Sequence, residues 1–419
     1  MRIIDPPNPG MLFDPSTYRD GVPHAEFARR RREAPVSWVV EKPLVRRSGA
    51  RCSEVRGSGY WAVTRHAAIA EVSRRREVFS SGLRGAFLTD PKSAQDLEST
   101  RQLLVNMDLP DHARIRRSVV AAFKPKIVAL MRESILARAH ELVENVRRRD
   151  EFDAVRELTA ELPLLAIADL VGMPTEDRDL LFEWSTNLVG FDDPDFGASG
   201  IEAYKRTFVE ANAYALELAS AKRRRPGDDL VSGLVHDALD RGVIDEEELC
   251  KLFLLIVIAG NETTRHLLSG ALQALVEWPD ERDRLIASPE LIPTAVEEVL
   301  RYVSPVVQFR RTALVDTEVD GQAVRAGEKV VLYYSSGNYD QDVFDHPTRL
   351  DLRRSPNPHL AFGVGPHFCL GAALARLEAA AMLEAMLEYL DRFELTGPIE
   401  RLASNFVNGI KVMPARIHG

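Results

Sequence analysis

From residue 66 to about residue 300 the apolar positions recur every three to four residues, the spacing of one face of a helix, and the pattern breaks near 81–110, 190–200 and 225–230. Ahead of this stretch, VSWVV at 36–40 and GYWAVT at 59–64 are rich in aromatic and β-branched residues and predict a hairpin. The segment between them, KPLVRRSGARCSEVRGS at 42–58, is basic and lacks apolar periodicity, so it reads as an exposed insertion. After residue 305 the pattern changes to short strands, as in EVDGQAVRAGEKVVLYY, with VDG and RAG as turns. A further strand pair is expected near 393–414. The whole predicts a mainly α fold with a minor β region. Gly and Pro are spread evenly, with no linker and no internal repeat, which predicts a single domain over 1–419.

One helical run departs from its own pattern. LFLLIVIAGNETTRHLLSGALQALVEW, at 252–278, is apolar except at its middle, where Ala259, Gly260, Asn261, Glu262, Thr263 and Thr264 follow one another. An acid and an alcohol buried there are costly unless they are solvated or do chemistry. Glycine weakens a helix by about 1 kcal/mol relative to alanine, so Gly260 points to a local bulge or to a close approach by another group.

The second irregular stretch is Phe-Gly-Val-Gly-Pro-His-Phe-Cys-Leu-Gly at 362–371, just ahead of the helical pattern LGAALARLEAAAMLEAMLEYL. A glycine turn beside one cysteine is by itself weak, because most lone cysteines are buried free thiols. Here Gly363 and Gly365 would let backbone amides approach the Cys369 sulfur, and the positive end of the following helix would stabilise its thiolate. The full ten-residue string resembles, residue for residue, the haem-binding loop of the cytochrome P-450 family, the haem-thiolate monooxygenases.

That resemblance covers nearly the whole chain and implies a triangular helical prism with small β-sheets, and haem b as cofactor. It makes Cys369 the axial ligand of the haem iron, with Phe362 covering the sulfur side, Gly363 in the turn, and Gly371 leaving room for the macrocycle. On the central helix, Ala259 and Gly260 match the family's groove residues, Glu262 the acid of a proton relay, and Thr263 the alcohol that donates a hydrogen bond to the oxygen being activated. Many relatives carry the shorter aspartate at the position of Glu262. Glu298 and Arg301 in AVEEVLRY match the Glu-x-x-Arg pair that supports the haem from beneath, joined by Arg354 or, as the alternate, Arg353. His112 and Arg116, four residues apart in LPDHARIRRSVVAAF, match propionate partners, as do Arg311 and His367. The implied substrate contacts are Leu255, Ile258, Ala259, Val306, Val307, Phe406 and Val407, with 81–106 and 188–200 as a mobile lid. Tyr339, in GNYDQDVF, stands where relatives commonly carry arginine.

Composition limits the partners. The net charge of −9 argues against non-specific nucleic-acid binding. Three cysteines at 52, 250 and 369 lack the spacing of a zinc site or a disulfide framework, which predicts a reducing cytoplasm. The first twenty residues hold no apolar run that would anchor or export the chain, as in bacterial-type members. No flavin- or iron–sulfur-type extension follows the last segment, so the expected electron source is a separate ferredoxin with its ferredoxin reductase. Arg114, Arg117, Lys124 and Lys126 would form the docking patch. The reaction this implies is O2-dependent hydroxylation of an unactivated C–H bond in a small or medium hydrophobic molecule. AGNETTRH, SPNPHLAFG and SNFVNGIK look most like members acting on terpenoids or steroids. The alternatives are a hydrogen peroxide-dependent peroxygenase, which the Glu262–Thr263 pair disfavours, and a non-enzymatic haem sensor or ligand-binding protein.

Overall fold

A mixed five-stranded sheet flanks a larger helical body. The computed structural model describes residues 10–48, 51–55, 57–91, 93–189 and 200–418. In the sheet, Val36–Val39 pairs antiparallel with Tyr60–Val63 as the aromatic and β-branched pattern predicts, in the register Val36↔Val63 to Val39↔Tyr60. Lys329–Tyr333 then runs parallel to Tyr60–Val63 and antiparallel to Gln308–Ala313, which is followed at the edge by Phe79–Ser80. Alternation along Gln308–Ala313 sends Phe309 and Arg311 to one face, into a cavity, and Arg310 to the other, where it pairs with Asp90 at 2.6 Å.

The helical body is organised around Glu246–Glu277, a helix of 32 residues. Its start is fixed by a reciprocal capping box between Asp245 and Glu248, with Glu246, Glu247 and Glu248 favoured at the positive end of the helix dipole. Helices Glu161–Val171, Arg178–Val189, Ile292–Val303 and Ala372–Met386 pack around it and share one apolar core. The central helix stays α-helical through Gly260. Of the two expected causes for that glycine, close approach is the one observed: a Cβ there would overlap Ile167 of Glu161–Val171.

Three expectations about elements change. Within the basic insertion two strands pair antiparallel, Leu44–Ser48 against Arg51–Val55, and the first lies beside the helix Gly200–Arg224. The segment 81–106 contains a helix, Ala94–Arg101, capped by Ser93, whose Oγ accepts from the Asp96 amide at 3.0 Å. That segment is pinned near both ends: the Ala86 amide donates to Asn106 Oδ1 at 2.8 Å, and the Ser81 amide to Asp108 Oδ1 at 2.8 Å. The other proposed lid segment, 188–200, falls outside the described residues over 190–199. At the C-terminus the expected pair, Phe393–Leu395 with Pro414–Ile417, is joined by a second, Glu400–Arg401 with Ile410–Val412. No helix among the described residues is long and apolar enough to cross a membrane.

Candidate active site

The cavity lies between the central helix and the loop that precedes Ala372–Met386. Gly363 and Gly365 have φ of 66° and 79°, a left-handed backbone that turns the chain sharply before the cysteine. A side chain at Gly365 would also meet Ser73 O at 2.8 Å. The amides divide their work differently from the expectation. Gly363 N–H donates to Leu360 O at 2.8 Å, and the amide that reaches the Cys369 sulfur is that of Gly371. Cys369 lies deep in the protein, and the surface it exposes faces the cavity. Burial pushes its thiol up, opposed by the Gly371 amide and by the charges of Arg116 and Arg376. Phe362 closes the same side, with the Arg376 guanidinium 4.5 Å over its ring.

Four basic groups gather at one edge. His112 and His367 stack obliquely at 4.4 Å between centroids, and Arg116 and Arg311 line the cavity beside them. Burial, reinforced by Arg311, His112 and Arg116, pulls His367 down to about 2. Burial followed by Arg116 also lowers His112, whose Nε2 has no hydrogen-bond partner. Such a cluster is stabilised by anions, and the two carboxylates of a haem would supply them. A Cβ at Gly371 would meet no protein atom within 4 Å, which leaves open space at the wall beside the cysteine. Thiol, open wall and basic edge together fit a haem.

Opposite the cysteine, the central helix turns Leu255, Ile258, Ala259, Gly260, Glu262 and Thr263 to the cavity. Thr263 donates its hydroxyl hydrogen to Ala259 O at 2.7 Å, so it presents acceptor lone pairs to the cavity instead of the expected donor. Glu262 is buried. Desolvation alone would raise its pKa, but Arg265 and His266 outweigh that and hold it below the ordinary carboxylate value.

Val306, Phe406 and Val407 complete the expected apolar lining, with Val306 and Val407 joined in a β-bridge. Val307 does not line the cavity. The extended chain sends successive side chains to opposite faces, so Val307 lies fully buried in a separate cluster with Leu12, Phe13 and Tyr333. Phe87, Ile167, Phe309, Tyr334 and Glu378 line the cavity without having been singled out. Phe309 was within reach of the sequence, being two residues before Arg311 on one strand. Glu378 was too: it falls in the stripe of Leu374 and Met382, both buried, and its Oε2 has no partner.

Behind the cysteine loop, Arg301 donates from Nε and Nη2 to the two Glu298 oxygens, each at 2.8 Å, with both side chains fully buried. Arg354, not Arg353, is the third member, its Nε 3.0 Å from Glu298 Oε2. Asn357 Nδ2 and the Asp351 amide also donate to this carboxylate. The Tyr339 ring lies 5.2 Å from the Arg301 guanidinium and stacks on His24 at 3.8 Å. Its hydroxyl donates to Tyr302 O at 2.7 Å. The tyrosine thus covers Arg301 through a cation–π contact where a second arginine would add like charge.

A family model described as cytochrome P450 matches residues 201–401. The chain is 35% identical over 401 residues to a steroid C26-monooxygenase of Rhodococcus jostii, covering 95% of this chain and 82% of that one. The chain belongs to the cytochrome P450 family. It is 38% identical to a methyl-branched lipid omega-hydroxylase of Mycobacterium tuberculosis, over 94% of this chain and 91% of the relative. The structure of a Mycobacterium marinum cytochrome P450 in complex with pseudoionone superposes with a TM-score of 0.87 at 38% identity, covering 99% of this chain and 98% of that one. The fold is the P450 fold, mostly helical with small sheets. As a P450, the chain is an oxygen-incorporating oxidoreductase, a hydroxylating monooxygenase with a haem-thiolate cofactor, a redox partner and a hydrophobic substrate.

Proposed function

We propose that this P450 carries haem b on Cys369 and hydroxylates a chain-end carbon of an uncharged steroid- or terpenoid-like molecule, with electrons from a ferredoxin and its reductase. The observation that carries this reading is the distribution of charge in the cavity. The arginines among its lining residues, Arg116 and Arg311, both belong to the basic edge that suits haem propionates. The remainder facing the central helix is aliphatic and aromatic, from Leu255 and Ile258 to Phe309 and Phe406. A substrate carboxylate therefore has no cation to meet, which also weighs against a peroxygenase that relies on one. Relatives named for a steroid C26 position and for the omega carbon of methyl-branched lipids support chain-end oxidation.

Thiolate-ligated haem supplies the binding and reductive cleavage of dioxygen. The reaction consumes O2, two electrons and two protons, gives the alcohol, and releases water. The Glu262 carboxylate takes protons from solvent and passes them toward Thr263, whose lone pairs hold a donor in place. The apolar wall from Leu255 to Val407 excludes bulk water while the substrate is seated.

Absorbance titration tests the substrate class. A sterol with an intact branched side chain, pseudoionone and a methyl-branched acid with its methyl ester are each added to the purified enzyme. The neutral compounds are expected to drive a low- to high-spin change, and the ester more strongly than the acid. A stronger response to the free acid overturns the uncharged-substrate reading. Product formed with hydrogen peroxide alone, at the rate seen with ferredoxin and reductase, overturns the assigned electron source.

A further inference from the structure

Glu262 is held by two residues of its own helix, one of which is in turn held from another segment. Arg265 Nη2 donates to Glu262 Oε2, and His266 Nε2 lies 3.4 Å from the same oxygen. His266 is buried, and its Nδ1 accepts from the Ile410 amide at 3.3 Å, which assigns the ring proton to Nε2, where Glu262 Oε2 is the acceptor and Arg265 Nη2, itself a donor, lies 3.4 Å away. Oε2 is therefore fixed by two donors, whereas Oε1 has no hydrogen-bond partner.

The Ile410 amide belongs to the segment that forms the substrate wall. Phe406 and Val407 line the cavity, Phe406 O accepts from Val307 N at 2.8 Å, and Asn408 N donates to Pro305 O at 2.9 Å. One residue on, Gly409 presses its backbone on the imidazole: a Cβ there would lie 2.8 Å from His266 Nε2 and 2.9 Å from Cε1. A side chain at this position would have to displace the ring. Two residues of chain, Asn408 and Gly409, thus separate the substrate contact Val407 from the amide that holds the histidine. The other charged groups facing this trio are Arg265 from the central helix and Arg401 from the C-terminal segment, which is tied to Asn408 Oδ1 at 3.4 Å and Gln273 Oε1 at 2.6 Å.

We propose that His266 is a positioning residue through which the segment 406–410 sets the orientation of the Glu262 carboxylate, so that a substrate seated against Phe406 and Val407 aligns proton delivery with its own arrival. This rests on the reading of Glu262 as the acid of the relay. An enzyme wired in this way moves protons toward Thr263 efficiently only with the cavity filled, and spends less reductant on peroxide when it is empty.

The test compares Glu262→Gln, His266→Phe, His266→Asn and Gly409→Ala as holoenzymes, with pseudoionone as the probe. In wild type, an infrared carboxylate band that Glu262→Gln removes is expected to shift when the probe binds. His266→Phe and Gly409→Ala should abolish that shift and lower product per NAD(P)H by about threefold or more, leaving the dissociation constant of the probe within about twofold. His266→Asn keeps an acceptor for Ile410 and a donor for Glu262, and should restore part of both signals. If Glu262→Gln uncouples turnover while Gly409→Ala and His266→Phe retain the band shift and the coupling, the role of His266 is overturned and that of Glu262 survives. If Glu262→Gln leaves coupling unchanged, the relay itself is wrong.

Discussion

Glu378 poses the sharpest question about a single side chain. It lies in the helix Ala372–Met386, buried against the cavity wall, with one oxygen unpartnered and no ion pair among the described residues. Burial alone pushes its pKa well above the ordinary carboxyl value. An acid raised on folding contributes its full stability below the unfolded value and loses it as pH climbs toward the folded one. The cost of keeping Glu378 therefore grows from mildly acidic to alkaline solution. Glu378→Gln should remove that slope, giving a gain on the order of 1 kcal/mol at pH 8 and little at pH 5. Thermal melts of the two proteins at both pH values check it, and a constant offset between them would mean that Glu378 is ionised or solvated.

At the scale of elements, the helix Ile292–Val303 is joined to the helix Ala372–Met386 by charge as well as by apolar contact. Arg376 donates to both Glu297 oxygens at 2.6 and 2.9 Å, and His359 Nε2 lies 3.0 Å from Oε2. Burial would raise this carboxyl, but the Arg376 and His359 hydrogen bonds and charges outweigh it and bring it to about 2. The stabilisation is present above pH 4.5, the unfolded value, and is lost as pH falls through about 2. Glu297→Gln is expected to destabilise the protein at neutral pH and to flatten the decline of the melting temperature between pH 4.5 and 3. An unchanged acid limb would assign that decline to other carboxylates. The elements tied together here were legible wherever burial is one-sided. Apolar periodicity marked the central helix, and aromatic alternation marked the hairpin Val36–Val39 with Tyr60–Val63. The pairing of Leu44–Ser48 with Arg51–Val55 was not legible, because LVRRS and RCSEV lack an alternation that separates an apolar face from a polar one. Val307 is a related case: the resemblance implies Val306 and Val307 together as substrate contacts, although neighbours on an extended chain face opposite sides. The residues of the dense local string, Cys369 above all, line the cavity together, as neighbours in one loop can. Those such as Phe87 and Ile167, brought in by long-range packing, carry no mark of it in their own segments.

For the whole molecule the net charge of −9 hides a local excess of the opposite sign on the side of the cysteine loop. Arg114 does not belong to that excess, because Glu248 holds it at 2.5 Å and Asp111 lies at 3.5 Å. Arg117, Lys124 and Lys126 are exposed, and among the described residues no acid pairs with them. Between and beside them stand Val120, Ile127 and Leu130, exposed by 36%, 44% and 78%, too apolar for a face that meets only water. Arg116, one turn from Val120, donates to Phe368 O at 2.7 Å, next to Cys369, so this surface has a short covalent and hydrogen-bonded route to Cys369. Charges around an apolar centre suit a small acidic electron carrier, with charge governing encounter and apolar contact governing lifetime. Reversing Lys124 and Lys126 to Glu should slow reduction by an acidic ferredoxin about tenfold or more at low salt, with the gap closing as salt screens the pair. Leu130→Ala should instead weaken the complex at every salt concentration, and Arg114→Ala should change the rate little. Stopped-flow reduction across a salt series separates these outcomes. Equal rates for the charge-reversed and wild-type proteins at low salt would move the docking site to another face.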